Sequence, residues 1–187
     1  MATKYIFVDL DETLFHSRFL GTNPLKARNS LKHESEKLIK IMGRFEEENE
    51  FYGSLLRPGA LDLLASLRAI PDSKVMVLTA SVEDYAKANN LAHALGFNPA
   101  DIYHRASMQS DTVPNLGISD PVQAQFYLID NLARGENRIK IRWIENLADD
   151  AYANYVKVPE FFTLGDRFLD ESLIAEILLA IDILGTS

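Results

Sequence analysis

The chain has 187 residues, 47% hydrophobic and 25% charged, the proportions of an ordinary globular protein rather than a disordered one. Asp and Glu outnumber Lys and Arg by 27 to 19, a net charge of −8. That balance argues against broad nucleic-acid binding, which needs a basic face to neutralise phosphates. With no cysteine, disulfides, thiolate nucleophiles and cysteine metal sites are excluded. Apolar runs fall far short of the roughly 18 residues that span a bilayer. Met1-Ala2-Thr3-Lys4 leads straight into a strand-like segment without signal-peptide features. The expectation is one domain over residues 1–187, cytoplasmic and without a membrane partner.

In chain order, Tyr5-Ile6-Phe7-Val8 is a short apolar run, rich in aromatic and β-branched residues, that ends at Asp9. It reads as a buried strand. The stretch from Ser17 to Gly53 differs in character. Within it Lys32–Glu48 carries Leu38, Ile41, Met42 and Phe45 at helical spacing. The pattern predicts a small helical insertion over 17–53, either roofing a crevice or simply packing. After Arg57-Pro58-Gly59, a stripe of Leu61, Leu64, Ala65 and Ala69 predicts a core helix.

Val75-Met76-Val77-Leu78 is a second strand-like run, ending at Thr79-Ala80-Ser81. The next helix is marked by Ala88, Leu91, Ala92 and Leu95, opened by Ser81 with Asp84 and stopped by Gly96. Phe126-Tyr127-Leu128-Ile129 is a third run, ending at Asp130-Asn131. Arg138–Ile144 alternates Ile139, Ile141 and Trp143 with Lys140 and Arg142, which predicts a further, half-exposed strand. Ile174, Ile177, Leu178 and Ile181 mark a C-terminal helix between Asp170 and Gly185. Strands alternating with helices predict an α/β fold with a mainly parallel sheet, whose carboxyl ends meet at one crevice.

Chemistry gathers at those strand ends. Asp9 and Asp11 lie two apart directly after a buried strand. Burying a carboxylate is costly without a partner, although an Asp at a strand end also caps loop amides. Asp130 and the hydroxyls of Thr79 and Ser81 are expected on the same rim.

The set resembles the haloacid dehalogenase (HAD) superfamily, and within it the phosphatases of the RNA polymerase II C-terminal domain. Those share a DLDETL string followed by HS, an RPG-type turn before a helix, a strand ending TAS, and a strand ending DD or DN. Here these are Asp9–Ser17 (DLDETLFHS), Arg57-Pro58-Gly59, Thr79-Ala80-Ser81 and Asp130-Asn131. The likeness covers residues 4–135 in order and spacing. It implies a three-layer Rossmann-like fold and phosphomonoester hydrolysis through an aspartyl-phosphate. Asp9 is then the nucleophile, and Asp11 the general acid and later base. Thr13 fixes the loop and Asp11 and, with Thr79, Ala80 and Asn131, faces the substrate. Mg2+ is the implied cofactor, held by Asp9, the carbonyl of Asp11, and Asp130. A phosphorylated substrate, protein or small molecule, is the implied partner, with a phosphoprotein the first reading.

One departure stands out. The superfamily places a lysine upstream of the last of these strands, near where Pro114 and Asn115 fall, yet no lysine lies between Lys87 and Lys140. Asp9, Asp130 and a phosphate dianion together exceed the charge of one magnesium ion, so another cation is required. Arg105 is the leading candidate, with Lys87 and Arg57 behind it. The gap also keeps open a non-catalytic binding protein on a degenerate fold, and a nucleotide or nucleic-acid-end phosphatase remains the enzymatic alternative. His16, His33, His93 and His104 lack ligand-like spacing, and Trp143 reads as core.

Overall fold

The computed structural model describes residues 2–32, 40–45, 50–81, 94–110, 116, 118, 123–148, 151–161 and 168–185. At its centre is a parallel five-stranded sheet. Its strands are β1 (Lys4–Val8), β5 (Ser73–Leu78), β6 (Ile102–Tyr103), β7 (Gln125–Asp130) and β8 (Ala153–Lys157), in the order β6-β5-β1-β7-β8. In β1 every second residue turns to the same face. Ile6 and Val8 join one apolar cluster, Tyr5 and Phe7 the other. Both faces are therefore buried, which is why β1, β5 and β7 read as continuous apolar runs.

Helices cover the two faces and complete three layers. On one side lie α2 (Ala60–Arg68) and α5 (Glu171–Leu184), contributing Leu63, Leu64, Leu67, Ile174, Ile177 and Ile181. On the other lies α4 (Arg138–Glu145), with Ile141, Trp143 and Ile144. α5 opens where Asp170 accepts a hydrogen bond from the Leu173 amide at 2.8 Å, a side-chain cap of the expected kind. The short α3 (Arg105–Gln109) follows β6 directly. Among the described residues no helix is long and apolar enough to cross a membrane.

Four expectations need correction or fall outside. Residues 138–144 form a helix, not a strand: Ile139 is 68% exposed whereas Lys140 is 4% exposed, the reverse of the alternating pattern. Beyond the three apolar runs the sheet has two more strands, β6 and β8, and no sequence pattern had marked β8. In α2 the buried stripe is Leu63, Leu64 and Leu67, while Leu61 and Ala65 face outward. The helix marked by Ala88, Leu91 and Ala92, and its Asp84 cap, lie outside the described residues.

Among the described residues the insertion is mostly sheet. β2 (Phe15–Gly21), β4 (Glu50–Leu56) and β3 (Lys40–Phe45) pair antiparallel in the order β2-β4-β3. Residues 40–45 of the expected 32–48 helix are strand β3, and 33–39 (with Leu38) and 46–48 lie outside the described residues. The described helix of the insertion, α1, is at Pro24–Lys32. Asn23 starts it, accepting from the amides of Leu25 (3.0 Å) and Lys26 (3.1 Å), with Pro24 at the first helical position. The apolar spacing of Ile41, Met42 and Phe45 mimicked a helix, but Gly43 would cost a helix about 1 kcal/mol, and the ladder to β4 satisfies this backbone instead.

Gly59 shows how tightly α2 is seated. Its φ is +85°, and a Cβ there would lie 1.8 Å from the Leu169 carbonyl oxygen. Leu169 in turn donates its amide to the Pro58 carbonyl at 2.9 Å. Gly59→Ala should therefore lower stability by roughly 2–4 kcal/mol in urea unfolding, against about 0.5 for an exposed surface change.

Candidate active site

β1, β5 and β7 are adjacent and parallel, so their carboxyl ends bring Asp9, Thr79 and Asp130 to one edge of the sheet. The convergence of polar strand ends expected from the sequence is thus produced by three neighbouring strands. All three residues are buried. The Asp9 amide donates to the Ile129 carbonyl at 3.0 Å, extending the β1–β7 pairing into the loop.

The cation between the carboxylates is Lys140. Its Nζ lies 2.7 Å from Asp9 Oδ1 and 2.7 Å from Asp130 Oδ2. The other oxygen of Asp130, Oδ1, accepts from the Leu132 amide at 2.9 Å. Two buried carboxylates share one ammonium, so the cluster is one positive charge short. Burial drives the Asp9 carboxyl up to about 7; Lys140 opposes this, and the nearby Asp130 and Asp11 add to it. Burial also disfavours the charged Lys140, but the two carboxylates outweigh it and hold the ammonium above its ordinary value.

Lys140 went unrecognised because Arg138–Ile144 reads as an alternating strand. At helical spacing, Lys140 shares a face with Ile144, four residues on, and both are buried. That a lysine falls on the apolar face of an amphipathic helix is the signal that marks it. The loop before α4 is fixed as well. Asn137 Nδ2 donates to the Tyr155 hydroxyl at 2.6 Å, and that hydroxyl donates to the Leu132 carbonyl at 2.7 Å.

Asp11 stands on the neighbouring loop, where its Oδ2 accepts from Ser81 Oγ at 2.7 Å. Glu12 follows at φ +58°, a left-handed turn stabilised by its amide bond to the Phe15 carbonyl. The Glu12 carboxylate lies 3.0 Å from His16 Nδ1, which gives that histidine a local partner rather than a metal role. Thr79 Oγ1 accepts from the Ser81 amide at 3.1 Å, shaping the turn after β5.

Several expected site residues make bracing contacts. Thr13 is fully buried. Its hydroxyl donates to Asn131 Oδ1 at 3.0 Å and accepts from the Asn131 amide at 3.1 Å, which ties the β1 and β7 loops together. Arg105 is not the cation between the carboxylates: its Nε donates to the Ala80 carbonyl at 2.8 Å, and its amide to the Ser81 carbonyl at 3.0 Å. Arg57 is wholly buried, with Nη1 donating to the carbonyls of Thr13 (3.1 Å) and Pro159 (2.7 Å). Lys87 lies outside the described residues.

Among the described residues no group of three or more His, Asp and Glu side chains forms a metal site. The donors implied by the motif resemblance are the main-chain carbonyl of Asp11 and two carboxylates, Asp9 and Asp130, which Lys140 holds side by side. Hard oxygen donors and an uncompensated negative charge fit magnesium, which typically takes one or two carboxylates and fills its shell with water and phosphate oxygens.

Comparison with known proteins agrees with this architecture. No curated protein matches the chain. A structure of fission yeast RNA polymerase II CTD phosphatase Fcp1-R271A, bound to beryllium fluoride, superposes with a TM-score of 0.51 at 15% identity. The match covers 98% of this chain and 50% of that one. A structure of Fcp1, an essential RNA polymerase II CTD phosphatase, gives 0.51 at 16% identity, over 98% of this chain and 48% of that one. The chain therefore spans about half the length of these proteins, and the likeness establishes the HAD-type fold. Residues 4–174 match the family described as NLI interacting factor-like phosphatase, a range that takes in all three polar strand ends and Lys140, and the chain belongs to that family of HAD-type phosphatases.

Proposed function

We propose that this phosphatase hydrolyses phosphomonoesters through an aspartyl-phosphate on Asp9, with magnesium as cofactor. The observation that carries the reading is Lys140 set between Asp9 and Asp130 at 2.7 Å from each, with Asp11 and Thr79 on the adjoining loops. In the first step an Asp9 carboxylate oxygen attacks phosphorus and the bond to the leaving oxygen breaks, while Asp11 donates a proton to that oxygen. In the second, water attacks the phosphoryl group, Asp11 takes its proton, and the bond to Asp9 breaks. Thr79, through its hydroxyl and adjacent amides, binds the phosphoryl oxygens. Lys140 keeps Asp9 oriented and adds positive charge beside the developing negative charge.

Asp9, Asp130 and the Asp11 carbonyl would hold the magnesium ion, which would supply neutralising charge for the phosphoryl oxygens. Lys140, rather than Arg105, is the added cation that the charge count from the sequence calls for, and it supplies part of that charge. A degenerate, non-catalytic protein thereby loses its motive. Phosphoserine or phosphothreonine proteins are the proposed substrates, in line with the resemblance of the motif set.

Asp9→Asn should bring turnover of p-nitrophenyl phosphate to background while the circular dichroism spectrum stays that of the wild type; retained activity would remove the nucleophile. A panel of phosphopeptides, nucleoside monophosphates and 3′-phosphorylated oligonucleotides tests the substrate, with phosphopeptides expected to be turned over fastest.

Ser81→Ala probes the Asp11 assignment. A poorly leaving alkoxide needs its proton more than nitrophenolate does. Losing the Ser81 hydroxyl should therefore cost about tenfold in kcat on a phosphoserine peptide and little on p-nitrophenyl phosphate. Equal loss on both would argue against Asp11 as the proton donor.

A further inference from the structure

The resembled superfamily brings its lysine from upstream of the strand that ends in Asp130. In this chain the ammonium comes from downstream, on α4, ten residues after Asp130. It also spans one oxygen of each carboxylate, the same two carboxylates to which the proposed function gives the divalent cation. A divalent cation held there would likewise supply positive charge to both carboxylates. The rest of α4 keeps the ammonium there, because Ile141, Trp143 and Ile144 are buried on the same helix. Trp143 stacks edge-on against Phe7 of β1 at 5.5 Å between ring centroids, and donates its Nε1 hydrogen to the Ser107 carbonyl at 3.2 Å.

We propose that Lys140 is a built-in counter-ion of the metal site, holding Asp9 and Asp130 together in the metal-free protein and setting how tightly the divalent cation binds. The inference rests on the metal reading above. Without a cation, two buried carboxylates side by side repel, and an unpaired buried charge is strongly destabilising. Lys140 offsets that cost before metal arrives. Once metal is present, the fixed ammonium repels it, because both draw on the same pair of carboxylates. Lys140 is thus a positioning residue whose removal has two consequences of opposite sign: the metal-free protein becomes less stable, and metal binding becomes tighter. A lysine with a merely structural role would, on removal, weaken both.

The test uses Mn2+ alone as the probe, titrated against the full chain and followed by electron paramagnetic resonance of the free ion. Thermal unfolding is measured with and without Mn2+. Lys140→Met should melt lower than wild type without metal, bind Mn2+ about tenfold tighter, and gain more in Tm from saturating Mn2+. Lys140→Arg, which keeps the charge, should stay near wild-type affinity. Equal or weaker Mn2+ binding by a folded Lys140→Met would overturn the proposal while leaving the metal reading intact. So would a Lys140→Met protein that stays unfolded even in Mn2+, since the metal should replace the missing charge. A wild-type chain that takes up no Mn2+ would overturn the metal reading itself, and the counter-ion role with it.

Discussion

The placement of one ammonium between two buried carboxylates is the constraint on which the site depends. Parallel strands β1 and β7 put Asp9 and Asp130 side by side, and two such charges out of water would repel and draw protons. Lys140 resolves that conflict only in part, since Asp9 is still driven up to about 7 by burial. The remaining charge deficit is the feature on which the proposed divalent-cation site rests. A fully neutralised cluster would have no such use for a cation. The incomplete pairing is therefore tied to the proposed activity rather than to stability alone.

Around this centre the other polar residues act mostly on one another. Thr13 and Asn131 tie the β1 and β7 loops. Arg57 joins the Thr13 carbonyl to that of Pro159, and lies 5.6 Å from the Phe161 ring. The segment after β8 closes the arrangement from the far side: Val158 donates to the Asp130 carbonyl and Phe161 to the Glu12 carbonyl, each at 2.9 Å. Arg105 holds the turn that carries Ser81, and Ser81 holds Asp11. Thr13 and Asn131, which read as substrate contacts, also brace the loops on which Asp9 and Asp130 stand. Preorganisation of this kind is how a site places charge without reorganising during the reaction.

How much was legible differs from element to element. Buried parallel strands show as continuous apolar runs, so β1, β5 and β7 and the polar residues ending them could be read directly. α5 was legible too, through Asp170 at its start and the spacing of Ile174, Ile177 and Ile181. Where a short segment fits two periods, the reading failed. Arg138–Ile144 satisfies strand alternation by composition, yet folds as a helix, and Lys40–Phe45 satisfies a helical stripe, yet pairs as a strand with β4. Local pattern cannot separate these cases, because the deciding interactions come from residues distant in sequence.

The sequence by itself determined the fold class, the three strand ends and the acidic character of the site, because each is written in residues close together along the chain. Only the tertiary structure decided which cation meets those acids. Arg105, Arg57 and Lys140 are all basic residues near polar turns, and their types alone do not rank them. Their partners do: carbonyls 25 and 102 residues away for the first two, and the carboxylates of Asp9 and Asp130 for Lys140. A buried charge takes its role from what the fold sets opposite it, and that is a property of the packed sheet and α4 together.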